Sequence, residues 1–360
     1  MTSTTSTPPP LSRKKRLLFL SIIFSFFIIL LLSLGEIISR QKIRPWKILP
    51  REAVVASLEP PGTYNLKHET LGYTFRPGRV RITLPGPYSF NITHLPNGLR
   101  VTHPLDTYPA KEKKEIWIFG CSLTEGWSVN DEETYPWLLQ EKFKDYEVVN
   151  FGGGGYSTVQ SLIQFREALQ SGKKPALVIL TYASFHDQRN TLTRSWRKIR
   201  IAYGGYHNLR GMNLPYMKWS GDKKPEILYQ PLDYHEFPLA RHSALANLID
   251  ETYNGVLEKT YHSHEVSVAL IDEFFRACAA NQIKFVVAGI FAAPPTTDML
   301  EYCKKSGMMT TDISVDLGAK ENTNLPYDSH PSAVAHRKYA QKLESYLCEN
   351  LIKEAPCLGR

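Results

Sequence analysis

From residue 17 to residue 35 the chain reads LLFLSIIFSFFIILLLSLG, an almost unbroken apolar run without a charge. A helix of that length, helped by Ile37 and Ile38, spans a hydrocarbon core. The run is long for a signal peptide, and no A-x-A-like cleavage site follows, so the pattern predicts an uncleaved transmembrane anchor over 17–39. Residues 40–110 change texture to short alternating runs such as RVRITLPG and YSFNITHLPNGLRV, punctuated by Pro-Gly and Asn-Gly pairs. This predicts a small β-rich juxtamembrane segment.

From Lys111 apolar strands alternate with amphipathic helices. Strands are predicted at EIWIFG (115–120), YEVVNFG (146–152), ALVILTYA (176–183) and KFVVAGIF (284–291). Between them Val159, Leu162, Ile163 and Leu169 fall near one helical face, Val266, Leu270, Phe274 and Cys278 repeat at helical spacing, and a last helix fits Ser332 to Leu351. Such alternation implies a central parallel sheet covered on both faces, a three-layer α/β/α sandwich over 111–352 with a short tail at 353–360. Functional residues are then expected where the strands end. The stretch from about 189 to 264 breaks the rhythm, being rich in Tyr, Pro, Gly, His and basic residues, and reads as an insertion over the strand ends.

Charge adds an address. Lys+Arg number 43 against 35 for Asp+Glu, with the excess near the N-terminus and between Arg189 and Arg200. No basic stripe interleaved with aromatics recurs, so an anionic membrane surface fits better than nucleic acid, which is set aside. Residues 1–12 are rich in Ser, Thr and Pro, and with Arg13–Arg16 they predict a disordered basic tail over 1–16. Basic residues flank the apolar run on both sides, so their count does not set the orientation. The domain is expected on the extracytoplasmic, periplasmic side. There, Cys348 and Cys357 would be able to close a short disulfide loop, and an odd total of five cysteines leaves at least one thiol free. The cysteines lack C-x-x-C spacing, and HSHE (262–265) lacks a third ligand, so neither metal nor cofactor is expected and a solvated loop is the reading for 262–265. The basic run RSWRKIR reads first as a solvated surface and second as a cradle for an anionic substrate. Trp196, Tyr203, Tyr206 and Trp219 read first as the insertion's own core and second as a sugar-binding cleft. Asn91-Ile92-Thr93 is a glycosylation sequon.

Candidate chemistry begins in IWIFGCSLTEGW (116–127), where a buried strand stops and presents Ser122. Serine is a weak nucleophile until a base takes its proton. LPYDSHPSAVAHRKYA supplies one in His330, with Asp328 two positions earlier to hold Nδ1–H and leave Nε2 facing the serine. VVNFGGGGYST places Asn150 and four glycines after the second strand, where backbone N–H groups can approach an oxyanion. TYASFHDQRN, after the third strand, offers His186, Asp187, Arg189 and Asn190. Asn150, Asp187, Arg189 and Asn190 are candidate substrate-binding residues.

Together these elements resemble the SGNH hydrolase superfamily, the GDSL-like esterases, over roughly residues 112–347. The resemblance implies Ser122 as nucleophile, His330 as base and Asp328 as its carboxylate partner, with the amides of Ser122 and Gly155 lining an oxyanion hole. The family's Gly-x-Asn-Asp element appears as SFHD, which puts His186 at the asparagine position as a further oxyanion donor. The carboxylate stands two residues before the histidine instead of three, a shorter form seen in some membrane-bound members. Gly-Cys-Ser replaces Gly-Asp-Ser, with Cys121 as a packing residue. An α/β-hydrolase elbow is disfavoured, because Thr124 stands where G-x-S-x-G needs glycine. The implied activity is that of a membrane-anchored serine esterase cleaving O-acyl esters, on a carbohydrate or cell-envelope glycan, with a lipid or a small ester as the alternative substrate. An O-acyltransferase would use the same serine, and a degenerate domain would act as a binding component of an envelope complex.

Overall fold

A computed structural model describes residues 12–107, 113–203, 209, 211–219 and 226–351. It divides into two units, residues 1–47 with 235–255, and residues 48–234 with 256–360.

The first unit contains α1 (Arg13–Lys42), a 30-residue helix with leucines, isoleucines and phenylalanines exposed all round it. Its most apolar window has a mean hydropathy of 3.0, so the helix is long and apolar enough to cross a membrane. Arg13–Arg16 form its first turn, where the sequence suggested disordered tail: their long side chains favour helix and an apolar helix follows directly. Residues 1–11 and the expected tail at 353–360 lie outside the described residues.

The second unit opens with the β-rich segment. β1 (Ser57–Glu59), β4 (Gly78–Thr83) and β5 (Ser89–His94) form an antiparallel sheet, while β2 (Asn65–His68) and β3 (Gly72–Phe75) form a hairpin. Next come β6 (Lys114–Phe119), α2 (Ser122–Glu125), α3 (Tyr135–Lys142), β7 (Tyr146–Asn150), α4 (Thr158–Gln170), β8 (Leu177–Tyr182) and α5 (His186–Asn190). The inserted region holds α6 (Arg194–Ala202) and the hairpin of β9 (Asn213–Met217) and β10 (Ile227–Pro231), while most of α7 (Ala244–Glu258) belongs to the first unit. It is followed by α8 (Ser263–Ala280), β11 (Lys284–Gly289), α9 (Pro294–Lys305), β12 (Met309–Asp312), the short pair β13 (Thr323–Asn324) and β14 (Asp328–Pro331), and α10 (Ala333–Asn350).

Five strands form the central sheet in the order β12-β11-β8-β6-β7, and every neighbouring pair is parallel. Alternation along β6 explains the three layers, because successive side chains of a strand point to opposite faces. Ile116 and Ile118 join a core with Tyr135 and Leu139 of α3 and Tyr339, Leu343 and Leu347 of α10. Trp117 and Phe119 face the other way, onto Phe151, Phe165 of α4 and Phe274 of α8. Each such buried side chain contributes about 1.5–3 kcal/mol of transfer free energy.

Two expectations need correction. The sheet has a fifth strand, β12, whose MTTD sequence is short and polar because it lies at the sheet edge. The solvated loop expected at HSHE is instead a helix start: His262 immediately precedes α8 and Ser263–Glu265 form its first turn.

Within the first unit, the Glu36 carboxylate of α1 accepts hydrogen bonds from Ser243 Oγ at 2.6 Å and from the amides of Ala244 and Leu245 at 3.0 Å each. These are amides that the first turn of α7 leaves without an intrahelical partner.

Candidate active site

In the sheet order β6 lies between β7 and β8, so the chain leaves β6 to one side and later returns to the other. Such a reversal opens a crevice at the carboxyl ends of the two central strands. Ser122 stands there, three residues beyond Phe119, the last residue of β6, and at the start of α2. Thr181 Oγ1 of β8 donates to Phe119 O at 2.9 Å and lies 2.7 Å from Thr124 Oγ1, which pins the turn to the neighbouring strand. Gly120 is required by this closeness: a Cβ there would fall 2.0 Å from Thr181 Oγ1 and 2.3 Å from Thr124 Oγ1.

His330 reaches the serine from 208 residues away, with Nε2 at 3.1 Å from Ser122 Oγ. It sits on β14, which pairs with β13. Asn324 of β13 donates through Nδ2 to Ser128 O at 2.9 Å and to Ser128 Oγ at 2.8 Å, tying the histidine's hairpin to the loop after α2. On its other side the ring meets Asp328, with Nδ1 2.6 Å from Oδ1. An ionised carboxylate only accepts, so Nδ1 carries the hydrogen and Nε2 presents a lone pair to the serine hydroxyl.

Asp328 is held from three directions. Its Oδ1 also accepts the His330 amide at 2.7 Å, and its Oδ2 accepts Trp127 Nε1 at 3.2 Å. Burial works to raise its pKa, yet the His330 ring charge and these hydrogen bonds outweigh it and leave the carboxyl below its ordinary value. The two-residue spacing between Asp328 and His330 is therefore accommodated by a strand.

The glycine loop closes the opposite wall. Asn150 is fully buried, its Nδ2 donating to Thr124 O at 3.0 Å and its Oδ1 accepting Gly152 N at 2.9 Å, so it fastens the loop to α2. Gly153 N donates to Gly120 O at 3.1 Å. With these amides committed, those of Gly154 and Gly155 remain as the loop's candidates for an oxyanion. Gly155 adopts φ +79°, a left-handed conformation that disfavours any side chain. Tyr73 Oη from β3 donates to Gly154 O at 2.6 Å, and Tyr156 Oη donates to Tyr73 O at 2.7 Å, so the β-rich segment braces the loop.

The third strand's candidates separate. His186 is buried, with both ring nitrogens lacking a hydrogen-bond partner, against Tyr182 and Phe185. Burial, and then the charge of Arg189, push its pKa well below the ordinary value, so the ring is neutral. Among the described contacts none joins His186 to Ser122. Asp187 accepts Tyr182 Oη at 2.5 Å and meets His264 Nδ1 at 3.0 Å. Asn190 is buried and spent on the scaffold: its Oδ1 accepts Val159 N at 3.2 Å and its Nδ2 donates to Ser267 Oγ at 2.8 Å. Arg189 alone of this group acts on the nucleophile's turn, its charge lying close enough to influence the Cys121 thiol while Nη1 donates to Tyr156 O at 3.1 Å.

Among the described residues no group of three or more His, Cys, Asp or Glu is placed to hold a metal ion. A cavity of about 660 Å³ lies along β7, and none of Ser122, Asp328 and His330 lines it. Cys348 is disulfide-bonded, while Cys121, Cys278 and Cys303 are free and buried. Cys357 lies outside the described residues.

No protein-family model and no curated protein matches the chain. Among solved structures it is similar to a GDSL-like lipase from Bacteroides thetaiotaomicron, at 14% identity over 68% of this chain and 92% of that one, with a TM-score of 0.37. It is similar to a putative lipolytic protein of the G-D-S-L family from Desulfitobacterium hafniense, at 13% identity over 65% and 100% with a TM-score of 0.38. It is also similar to a family two carbohydrate esterase from Clostridium thermocellum, at 10% identity over 68% and 65% with a TM-score of 0.37. Likenesses this distant carry no argument about the chemistry, which rests on the geometry around Ser122.

Proposed function

We propose that this chain is a membrane-anchored serine hydrolase of the SGNH type that cleaves ester bonds. The observation that carries the reading is the relay from Ser122 through His330 to Asp328, at 3.1 and 2.6 Å. Ser122 Oγ attacks the ester carbonyl while its proton passes to His330 Nε2, and Asp328 holds the resulting imidazolium. The amides of Ser122 and Gly155 face the developing oxyanion. When the tetrahedral adduct collapses, His330 returns the proton to the leaving alcohol oxygen and Ser122 is left acylated. Water, deprotonated by the same ring, then releases the acid and restores the serine.

The narrower substrate, an O-acyl group on a carbohydrate or cell-envelope glycan, belongs to this proposal. So does the setting: α1 anchors the protein in lipid, and the domain lies on the extracytoplasmic side, where a disulfide such as that of Cys348 persists, in line with an envelope partner.

The test is hydrolysis by the full chain in neutral detergent, with an aryl acetate and an O-acetylated oligosaccharide as substrates. Acid release should fall on the order of 10⁴-fold or more in Ser122→Ala. Equal rates in the wild type and this variant would refute the reading. Adding an unacetylated oligosaccharide as acceptor reports transfer, as new acetylated product in place of free acid.

A further inference from the structure

The walls around the nucleophile contain two arginines whose placement the relay does not use. Arg189 of α5 lies with its guanidinium 4.3 Å from the Phe185 ring centroid and 4.7 Å from that of Trp196. Arg200 of α6 lies 5.2 Å from the same Trp196 ring. One indole therefore carries two guanidiniums. Arg200 also abuts the glycine loop: a Cβ on Gly155 would fall 3.0 Å from its Cζ and Nη2. Arg189 donates to Tyr156 O at the end of the glycine loop at 3.1 Å, and its charge acts on Cys121, the residue before the nucleophile.

Like charges so placed repel, and the repulsion is larger where water is excluded. The groups acting most strongly on Arg189 besides burial are Cys121, Arg200 and Tyr73, none of them a carboxylate. Its Nε is buried without a hydrogen-bond partner. The contrast with Arg189 is plain at Arg100, which reaches Asp131 at 3.1 Å, and at Arg166, which reaches Glu273 at 2.8 Å. A buried guanidinium donor left open beside a second guanidinium, next to a nucleophile, is the arrangement that an incoming anion completes, since the planar fork matches a carboxylate or phosphate.

We propose that the substrate carries an anionic group, a carboxylate or a phosphate, which Arg189 and Arg200 hold while Ser122 attacks the ester. This deepens the hydrolase reading and rests on it for the word substrate; binding of the anion does not depend on turnover. The basic run of α6 then serves the site through Arg200, where the sequence favoured a merely solvated surface.

Binding is measured on full-length Ser122→Ala in neutral detergent, by tryptophan fluorescence during titration with inorganic phosphate and, separately, with succinate. Trp196→Phe identifies the responding indole. We expect a saturable change with one anion or both, the stronger response telling phosphate from carboxylate, and an affinity at least about tenfold weaker in Arg189→Gln. Arg200→Lys keeps the charge and removes the fork, giving a second variant should Arg189→Gln fail to fold by circular dichroism. No saturable response to either anion in the folded protein, or a response untouched by both substitutions, overturns the proposal. In the active protein the ratio of kcat/KM for an aryl hemisuccinate to that for an aryl butyrate should fall at least about tenfold in Arg189→Gln, and a ratio unchanged by the substitution also overturns it. Failure to hydrolyse either ester would count against the hydrolase reading instead, with the titration still readable.

Discussion

Asp328 uses each oxygen differently, Oδ1 on the His330 ring and amide and Oδ2 on the Trp127 indole. Replacing it with Asn would supply a donor facing Nδ1 and favour the wrong tautomer, so kcat should drop about 10³–10⁴-fold with KM little changed. A steady-state comparison of Asp328→Asn with the wild type checks this. A second residue-level prediction concerns His336, whose pKa is pushed down to about 3, by burial first and then by the charges of Arg100 and His330. The unfolded chain would bind this proton near pH 6.5 and the folded chain only near 3, so stability is full above the first value and is lost as pH falls toward the second. The slope should reach about 1.4 kcal/mol per pH unit for this one group, and the buried His186 adds to it in the same direction. Denaturant midpoints between about pH 7.5 and about pH 5 measure it, and His336→Gln should flatten it, the Asp328 carboxyl titrating below that window. Ser122, Asp328 and His330 were legible because each lies in a short local motif at a strand end. Trp127 was not legible as a partner of Asp328, although it closes the same motif as Ser122, because 201 residues separate the two.

At the scale of elements, the glycine loop is held from outside the sheet. Tyr73 of β3 braces Gly154, and Arg100, which follows β5, donates to Glu125 O at 2.8 Å, Val129 O at 2.8 Å and Gly126 O around the nucleophile's helix. The β-rich segment is therefore part of the site's frame, which its alternating pattern could not convey. Gly155→Ala should lower kcat by about 10²-fold or more, because a Cβ at φ +79° is strained and would press on Tyr73 Oη at 2.7 Å, displacing an oxyanion donor. Kinetics alongside a thermal melt separate that loss from unfolding. Four central strands announced themselves through apolar runs. β12 did not, since its four residues, MTTD, are short, mostly polar and only partly buried, and the start of α8 hid behind His262 and Ser263, polar residues that read equally well as loop.

For the whole molecule, the apolar run and the strand-helix alternation were enough to read a long apolar helix and a sandwich, because the first is set by composition and the second by periodicity. The side of the membrane was not readable, as lysines and arginines stand at both ends of α1. With the domain outside the cytoplasm, Cys348 should resist alkylation in intact protein until a reductant is added, and a C-terminal reporter should be active only in an oxidising compartment. Alkylation of Cys348 without reduction would place the domain in the cytoplasm. Central to all of this is that His330 activates Ser122, and the rate of labelling by a neutral fluorophosphonate, followed by intact mass on the full chain, measures that activation directly. The account predicts a single adduct on Ser122, absent in Ser122→Ala and formed at least about 10³-fold more slowly in His330→Gln. A folded protein that takes no label at Ser122, or takes it equally fast without the imidazole, would contradict it.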